Sequence, residues 1–258
     1  MCGVEYYEHH RNDIVMRGII HKGTCPVPII MVHGYFSSNK IGPYRLYYQI
    51  AQALNQIGYT VVRIDLSGMG ESDGNIENIQ FSDHTSDLLS IIDDVIQQND
   101  LCRFGRIHLM GHCIGCCTVL KAALLRMDSI ASITLLSPFI PSKANHIKML
   151  GASNFHAITS NGFGYRKGAY CCNSFIDAAY ILTQPVMINL LRTIPANLVF
   201  SQLDEFIDLN ESIAWSNSIP LKSQVIIDAN HNYIGPVARM KLLEHLSFLF
   251  QKGIKENL

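Results

Sequence analysis

Short apolar segments alternate along this chain with longer segments whose apolar residues recur at helical spacing. PIIMVH at 28–33 is an apolar run that ends at His-Gly, a pattern typical of a buried parallel strand. Apolar residues from Leu46 to Ile57 then recur at near-helical spacing, and Gly58 predicts the end of that helix. Further strands are predicted at 59–65, 106–111, 132–138, 196–201 and 223–229.

Helical segments separate most of these strands. The segment 81–99 carries apolar residues on one face, and Ser82 or Asp83 is predicted to cap its start. Further helices are predicted from Ile114 onwards and over about 237–251. Strands that alternate with helices predict an α/β fold with a mostly parallel central sheet flanked by helices.

Residues 139–195 break this alternation. The segment is rich in glycine and aromatic residues, which predicts an insertion that is partly loop and partly helical. Because long insertions often cover a site, we expect a single domain over 1–258 with a lid at 139–195. Six aromatic residues of this lid are expected to line an apolar acyl or aryl site or to pack the lid itself: Phe155, Phe163, Tyr165, Tyr170, Phe175 and Tyr180.

Composition narrows the class of protein. Hydrophobic residues make up 48% of the 258 residues, charged residues make up 16%, and the formal net charge is −1, which excludes a broadly basic surface for nucleic acid. No apolar run approaches the ~20 residues that cross a bilayer, and the polar start of the sequence does not resemble a signal peptide. The eight cysteines do not form a secreted disulfide pattern, and most are expected to be buried. We therefore expect a cytoplasmic protein with no nucleic-acid or membrane partner.

A nucleophile is predicted where the strand 106–111 meets the next helix. Gly111-His112-Cys113-Ile114-Gly115 fits a glycine-x-nucleophile-x-glycine turn with cysteine as the nucleophile. Side chains larger than hydrogen at the two glycine positions would collide with neighbouring backbone in such a strained turn. The N-terminus of the following helix also favours a thiolate.

An acid and a base follow in the order that this architecture requires. Asp204 comes just after the predicted strand 196–201, and His231 comes just after the last strand. Asp208 is the main competitor for the acid, although its position also suits the N-cap of the next helix. The sequence therefore predicts a catalytic triad of Cys113, Asp204 and His231.

The turn after the first core strand predicts the oxyanion hole. A His-Gly turn there would direct the backbone N–H of Tyr35 at the reacting carbonyl oxygen, and the N–H of Ile114 would supply a second donor. His33, Gly34 and His112 adjoin these turns, and we expect them to line the substrate site or to support it.

These residues resemble the α/β-hydrolase superfamily over nearly the whole chain, from about Ile19 to Phe250. HGYFSSN, VVRIDLSGMGESDGNIENI, GHCIGC, FSQLDEFI and ANHNYIG are similar to the cinnamoyl and feruloyl esterase-like branch of small bacterial hydrolases. That branch carries serine where this chain has Cys113. The turn around Cys113 also resembles the nucleophile turns of dienelactone hydrolases, polyhydroxyalkanoate synthases and some thioesterase domains, in which cysteine is known at this position.

The predicted chemistry is acyl transfer through a thioester on Cys113. With water as acceptor the enzyme is an esterase or thioesterase; with an amine, alcohol or carbon nucleophile it is an acyltransferase or a cyclising enzyme. The expected partner is a small acyl ester or thioester, which CoA or a carrier protein could present. We expect no cofactor and no metal.

Two other classes of function compete with acyl transfer. Cys113 and Cys116 form a C-x-x-C pair at a helix start, as in thiol–disulfide enzymes. The flanking glycines and the downstream Asp204 and His231 argue against that chemistry, and Cys116 and Cys117 are expected to pack the first helical turn. A non-catalytic binding protein with the same fold is the remaining alternative.

Overall fold

A computed structural model of the chain describes residues 3–35, 38–166, 169–219 and 221–256. Cys2 lies outside the described residues, as do Phe36 and Ser37 of the HGYFSSN segment. The strands are β1 (Val4–Arg11), β2 (Ile14–His21), β3 (Ile29–Val32), β4 (Val61–Ile64), β5 (Ile107–His112), β6 (Ile130–Leu136), β7 (Phe163–Arg166), β8 (Ala169–Cys172), β9 (Ala196–Ser201) and β10 (Ser223–Ile227). The helices are α1 (Leu46–Gln56), α2 (Phe81–Gln97), α3 (Gly115–Leu125), α4 (Lys143–Leu150), α5 (Ala152–Asn161), α6 (Asn173–Ala179), α7 (Pro185–Thr193), α8 (Leu209–Ser216) and α9 (Pro236–Glu256).

The central sheet has the strand order β1-β2-β4-β3-β5-β6-β9-β10. From β4 to β10 all neighbouring strands are parallel, whereas β1 and β2 pair antiparallel with each other and β2 pairs antiparallel with β4. This confirms the predicted fold class, and all six predicted core strands are present. Because β3 and β5 are direct neighbours, the loops that follow them meet at the same edge of the sheet.

The N-terminal hairpin of β1 and β2 was not predicted by the hydrophobic pattern. Tyr7 is the only residue of β1 that is buried, since β1 is an edge strand that is largely open to solvent. An edge strand of this kind carries no apolar run, and its pairing with β2 sets its structure instead.

Apolar residues fill both faces of the sheet. On one face α2, α3 and α7 bury a large cluster against the strands, and on the other face α1 and α9 bury a second cluster. Cys116 and Cys117 are fully buried in the first of these clusters. This confirms that the two thiols pack the first turn of α3.

The start of α2 differs in detail from the prediction. Gln80, rather than Ser82 or Asp83, is the N-cap residue. The Asp83 carboxylate accepts a hydrogen bond from the Gln80 N–H at 2.8 Å, while the Gln80 side chain accepts one from the Asp83 N–H. The predicted cap was wrong because Asp83 stabilises the helix from inside its first turn, as in a capping box.

The described part of the segment 139–195 folds into the helices α4 to α7, a 3-10 helix at Tyr180–Thr183 and the antiparallel pair β7–β8. Part of this segment packs on the core loops, since Phe175 and Ile176 share a buried cluster with Tyr35 and Met69. Within the described residues no single helix is long and apolar enough to cross a membrane. The helices Asn173–Thr183 and Pro185–Thr193, which are bent relative to each other, reach the required length and apolar composition only when they are taken as a pair.

Candidate active site

Cys113 occupies a strained turn between β5 and α3. Its φ of 56° lies in the left-handed region, which is unfavourable for residues other than glycine. The Cys113 N–H donates to the Leu136 carbonyl at 3.0 Å, and this bond ties the turn to the end of β6. The thiol is largely shielded, because Cys113 is only 7% exposed.

The two flanking glycines permit this turn. A Cβ atom on Gly115 would lie 2.3 Å from the backbone oxygen of His33, and one on Gly111 would lie 2.8 Å from the backbone nitrogen of Cys116. Both distances are far below van der Waals contact, and the colliding atoms belong to the backbone, which cannot rotate away. The predicted reason for the glycines is therefore confirmed, and the nucleophile turn lies directly against the loop after β3.

Asp204 and His231 form a short ion pair beside this turn. Nδ1 of His231 lies 2.7 Å from Oδ2 of Asp204, and both side chains are almost fully buried. The other carboxylate oxygen of Asp204 accepts hydrogen bonds from the N–H groups of Phe206 and Ile207 at 2.9 and 3.0 Å. Glu205 accepts a bond from the His231 N–H at 3.0 Å. The loop after β9, which carries Asp204, and the loop after β10, which carries His231, are thus held together by hydrogen bonds to both the side chain and the backbone of His231.

The charge on His231 depends on Cys113. Burial acts to lower the pKa of His231, but the nearby Cys113 thiolate and hydrogen bonds to Asp204 and Cys113 outweigh it and raise that pKa to about 10. At neutral pH the imidazole therefore holds its proton. The structure thus brings Cys113, Asp204 and His231 into one hydrogen-bonded row.

Asp208, the competing acid, has a different role. Its side chain accepts hydrogen bonds from the N–H groups of Asn210 and Glu211 at 2.9 and 3.2 Å, so it is the N-cap of α8. This confirms the helix-capping interpretation of Asp208.

The His-Gly turn fixes the peptide that carries the Tyr35 N–H. The Leu66 N–H donates to His33 Nε2 at 3.1 Å, so the His33 proton is on Nδ1 and is donated to the Gly34 carbonyl at 2.6 Å. In a trans peptide the N–H points away from the carbonyl, so this bond turns the Tyr35 N–H away from His33. A Cβ atom on Gly34 would lie 3.4 Å from Cβ of Cys113, so this turn contacts the nucleophile.

A small apolar pocket adjoins the two expected oxyanion donors. Tyr35 and Ile114 line it together with seven further residues: Phe139, His146, Met149, Leu150, Cys171, Phe175 and Ile176. The described lining residues do not include His33 or His112. Both ring nitrogens of each of these histidines are hydrogen-bonded within the protein, which favours supporting roles for them.

The aromatic residues of the segment 139–195 divide between the two expected roles. Phe175 lines the pocket, and Phe155 and Tyr180 stack on His146 at ring-centroid distances of 5.7 Å. Phe163, Tyr165 and Tyr170 instead contact one another, and the first two are about half exposed. His146 was not singled out by the sequence, because no motif surrounds it and only the packing of the segment 139–195 brings it to the pocket.

The described thiols beside Cys113 do not resemble a redox pair. Cys116 and Cys117 are free and fully buried, and burial raises the pKa of both. A thiol that is held protonated is a poor nucleophile for disulfide exchange. Burial of these two side chains therefore argues against thiol–disulfide chemistry at the start of α3.

The chain belongs to the alpha/beta hydrolase fold family, which matches residues 27–155, half of its length. It is similar to the palmitoyl-protein thioesterase ABHD10 of Rattus norvegicus, a mitochondrial protein, with 26% identity over 215 residues. That match covers 80% of this chain but only 65% of the rat protein.

Two solved structures share the fold over nearly the full length of both chains. Est1E from Butyrivibrio proteoclasticus, solved with ferulic acid bound, has a TM-score of 0.79 and 22% identity, and the match covers 96% of this chain and 99% of Est1E. Mouse ABHD10 has a TM-score of 0.74 and 21% identity, with coverage of 96% and 99%. At these identities the structural matches establish the fold.

We predict that Gly115→Ala lowers the free energy of unfolding by about 1–3 kcal/mol, because the new methyl group meets the His33 carbonyl. In a helix without such a contact, alanine is more favourable than glycine by about 1 kcal/mol, so a loss of stability would indicate the contact with the His33 carbonyl. Urea denaturation measures it. Gly3→Ala is the matched control, since nothing lies within 4 Å of a Cβ atom there. A Gly115→Ala protein as stable as the wild type would contradict the close approach.

We also predict that iodoacetamide alkylates Cys113 at a nearly constant rate from about pH 6 to pH 9. His231 keeps its proton below a pKa of about 10, and we expect it to pair with a Cys113 thiolate across that range. In His231→Gln the rate should rise with pH through about 8.5, the value of an ordinary thiol. Peptide mass mapping follows Cys113 alone, and His108→Gln on the same strand is the control. A wild-type rate that rises like the variant's would contradict the ion pair.

Proposed function

We propose that this protein is an acyl-transfer enzyme that hydrolyses carboxylic esters or thioesters through an acyl-thioester on Cys113. The observation that carries the proposal is the buried row of Cys113, His231 and Asp204 on three loops at the carboxyl edge of the sheet. The fold family and the names of its relatives, a palmitoyl-protein thioesterase and a ferulic acid-binding esterase, support the same class.

Acylation begins with attack of the Cys113 thiolate on the substrate carbonyl carbon. A C–S bond forms, the carbonyl electron pair moves to oxygen, and the N–H groups of Tyr35 and Ile114 hold the oxyanion. When the oxyanion collapses, the bond to the alcohol or thiol leaving group breaks. The leaving atom takes the proton from His231, which leaves an acyl-Cys113 thioester and a neutral imidazole.

Acylation itself prepares His231 for the second step. The thiolate charge and its hydrogen bond are two of the causes that raise the pKa of His231, and both disappear when the sulfur is acylated. With its pKa lowered, His231 stays neutral after acylation and can take a proton from water as the oxygen adds to the carbonyl. The C–S bond breaks, the acid departs, and the thiolate and imidazolium are restored. Asp204 orients the ring throughout.

The pocket at the oxyanion donors supports a compact acyl or aryl group as substrate. Bulky side chains form its wall, and two of them, Phe175 and Tyr35, pack against each other with ring centroids 4.0 Å apart. We propose that residues 139–195 act as a lid, since α4 and α6 supply most of this wall. Such a lid would leave the leaving group, including CoA or a carrier protein, outside the pocket.

A second acceptor is the alternative that the sulfur nucleophile favours. Exchange of a thioester substrate for an acyl-cysteine is nearly balanced in energy. An acyl-cysteine is also more open to amines and carbon nucleophiles than an oxygen ester is. The protein would then be an acyltransferase or a cyclising enzyme that uses the same Cys113, Asp204 and His231.

Intact-protein mass spectrometry tests the proposal directly. We predict one acyl adduct on the wild type after incubation with acyl thioesters and aryl esters, and none on Cys113→Ala, because the adduct is a thioester on that sulfur. Cys25→Ala is the matched control, since Cys25 is a half-buried thiol away from the site. Decay of the adduct with and without an added amine separates hydrolysis from transfer. Labelling that persists in Cys113→Ala would contradict the proposal, and no adduct with any substrate would favour a binding protein.

We further predict that kcat/KM for thioester hydrolysis is at least about tenfold higher for compact acyl or aryl groups than for palmitoyl, because the bulky wall limits chain length. Phe175→Leu should narrow this ratio by opening the wall, whereas Phe163→Leu, which changes an exposed ring, should leave it unchanged. Rates over a series of acyl chain lengths measure both effects. Faster turnover of palmitoyl by the wild type would contradict the assignment of this pocket to the acyl group.

A further inference from the structure

Three loops of the site are joined by one buried chain of hydrogen bonds. The Gly34 N–H lies 3.1 Å from the Tyr47 hydroxyl, and that hydroxyl lies 2.8 Å from Nδ1 of His112. Nε2 of His112 lies 3.1 Å from the backbone oxygen of His231. All four residues are buried, so solvent does not compete for these bonds. The chain runs from the oxyanion loop, past the residue before the nucleophile, to the loop of the base.

The two ends of this chain fix the direction of every bond in it. The Gly34 N–H can only donate, and the His231 carbonyl can only accept, so Nε2 of His112 carries a proton. Burial, helped by the neighbouring His231, lowers the pKa of His112 to about 3, so the ring is neutral and Nδ1 is an acceptor. The Tyr47 hydroxyl must therefore donate to Nδ1 while it accepts from Gly34. One arrangement of protons satisfies every group.

These hydrogen bonds complement the contact that His33 makes with the loop of Gly34 and Tyr35. His33 holds the carbonyl of Gly34, and Tyr47 holds its N–H, so the backbone before the Tyr35 N–H is fixed on both sides. At the other end, His112 holds the main chain of His231, while Asp204 holds its ring. The rings of His112 and His231 are 5.0 Å apart.

We propose that Tyr47 and His112 are positioning residues, which set the oxyanion donor and the base relative to Cys113 without touching substrate. This inference rests on the proposed function, since it concerns the same reaction. The Tyr47 hydroxyl serves the oxyanion loop in particular, because it is the acceptor for Gly34. It therefore supports the step in which an oxyanion forms, and it contributes little to a reaction that needs only the thiolate.

The test compares two reactions of Cys113 in the Tyr47→Phe variant. Acylation by an aryl ester passes through an oxyanion, whereas alkylation by iodoacetamide does not. We expect the acylation rate to fall by about 10- to 100-fold, since small displacements of oxyanion donors have effects of that size. The alkylation rate should stay within about twofold of wild type, because the Cys113–His231 pair remains.

Tyr59→Phe is the matched control, because Tyr59 is equally buried and donates its hydroxyl to the Phe250 carbonyl at 3.0 Å, away from the site. It should acylate at the wild-type rate. Two variants of His112 give a second test. The glutamine side chain of His112→Gln has an amide N–H that can still donate to the His231 carbonyl, whereas the side chain of His112→Phe has no hydrogen-bond donor. Acylation should therefore be faster in the glutamine variant than in the phenylalanine variant.

The outcomes separate this inference from the proposed function. Acylation of Tyr47→Phe at the wild-type rate would overturn the inference, as would an equal loss of acylation and alkylation, which would indicate a general loss of structure. A failure of the wild type to acylate at all, with normal alkylation, would overturn the proposed function instead.

Discussion

The close approach of two loops at the edge of the sheet is the constraint on which this site depends. β3 and β5 are neighbours, and the turn after β5 lies so close to the His33 carbonyl that position 115 has room only for glycine. This contact brings Cys113 and the loop of Tyr35 together before any side chain acts. It also holds Cys113 in a left-handed conformation that an isolated peptide would avoid.

The burial of Cys113, His231 and Asp204 determines the electrostatics of the site. A buried charge is costly unless a partner neutralises it, and here the protonated imidazole of His231 is hydrogen-bonded to both Asp204 and Cys113. Asp204 adds a second negative group, which its two backbone N–H bonds hold in place. In the mechanism that we propose, acylation of Cys113 removes two of the causes that raise the pKa of His231, and the neutral imidazole then acts as the base.

The sequence predicts much of this arrangement because several site residues lie within or directly after easily recognised sequence patterns. Cys113 lies between two glycines at a strand end, and His231 follows the last strand. The prediction was wrong at the start of α2, where Asp83 completes a capping box from inside the helix and is not the cap itself, and it missed the polar edge strand β1. His146 and Tyr47 carry no motif at all. Tyr47 and His112 are 65 residues apart, and only the packing of α1 on the sheet makes them partners.

The proposed chemistry depends most on the electrostatic coupling between Cys113 and His231. NMR titration of the His231 imidazole, in the free protein and after selective carbamidomethylation of Cys113, measures this coupling directly. We predict a pKa of about 10 for His231 in the free protein and a clearly lower pKa once Cys113 is blocked. A His231 pKa that is the same in both forms would contradict it, because the thiolate would then not be the group that holds the proton.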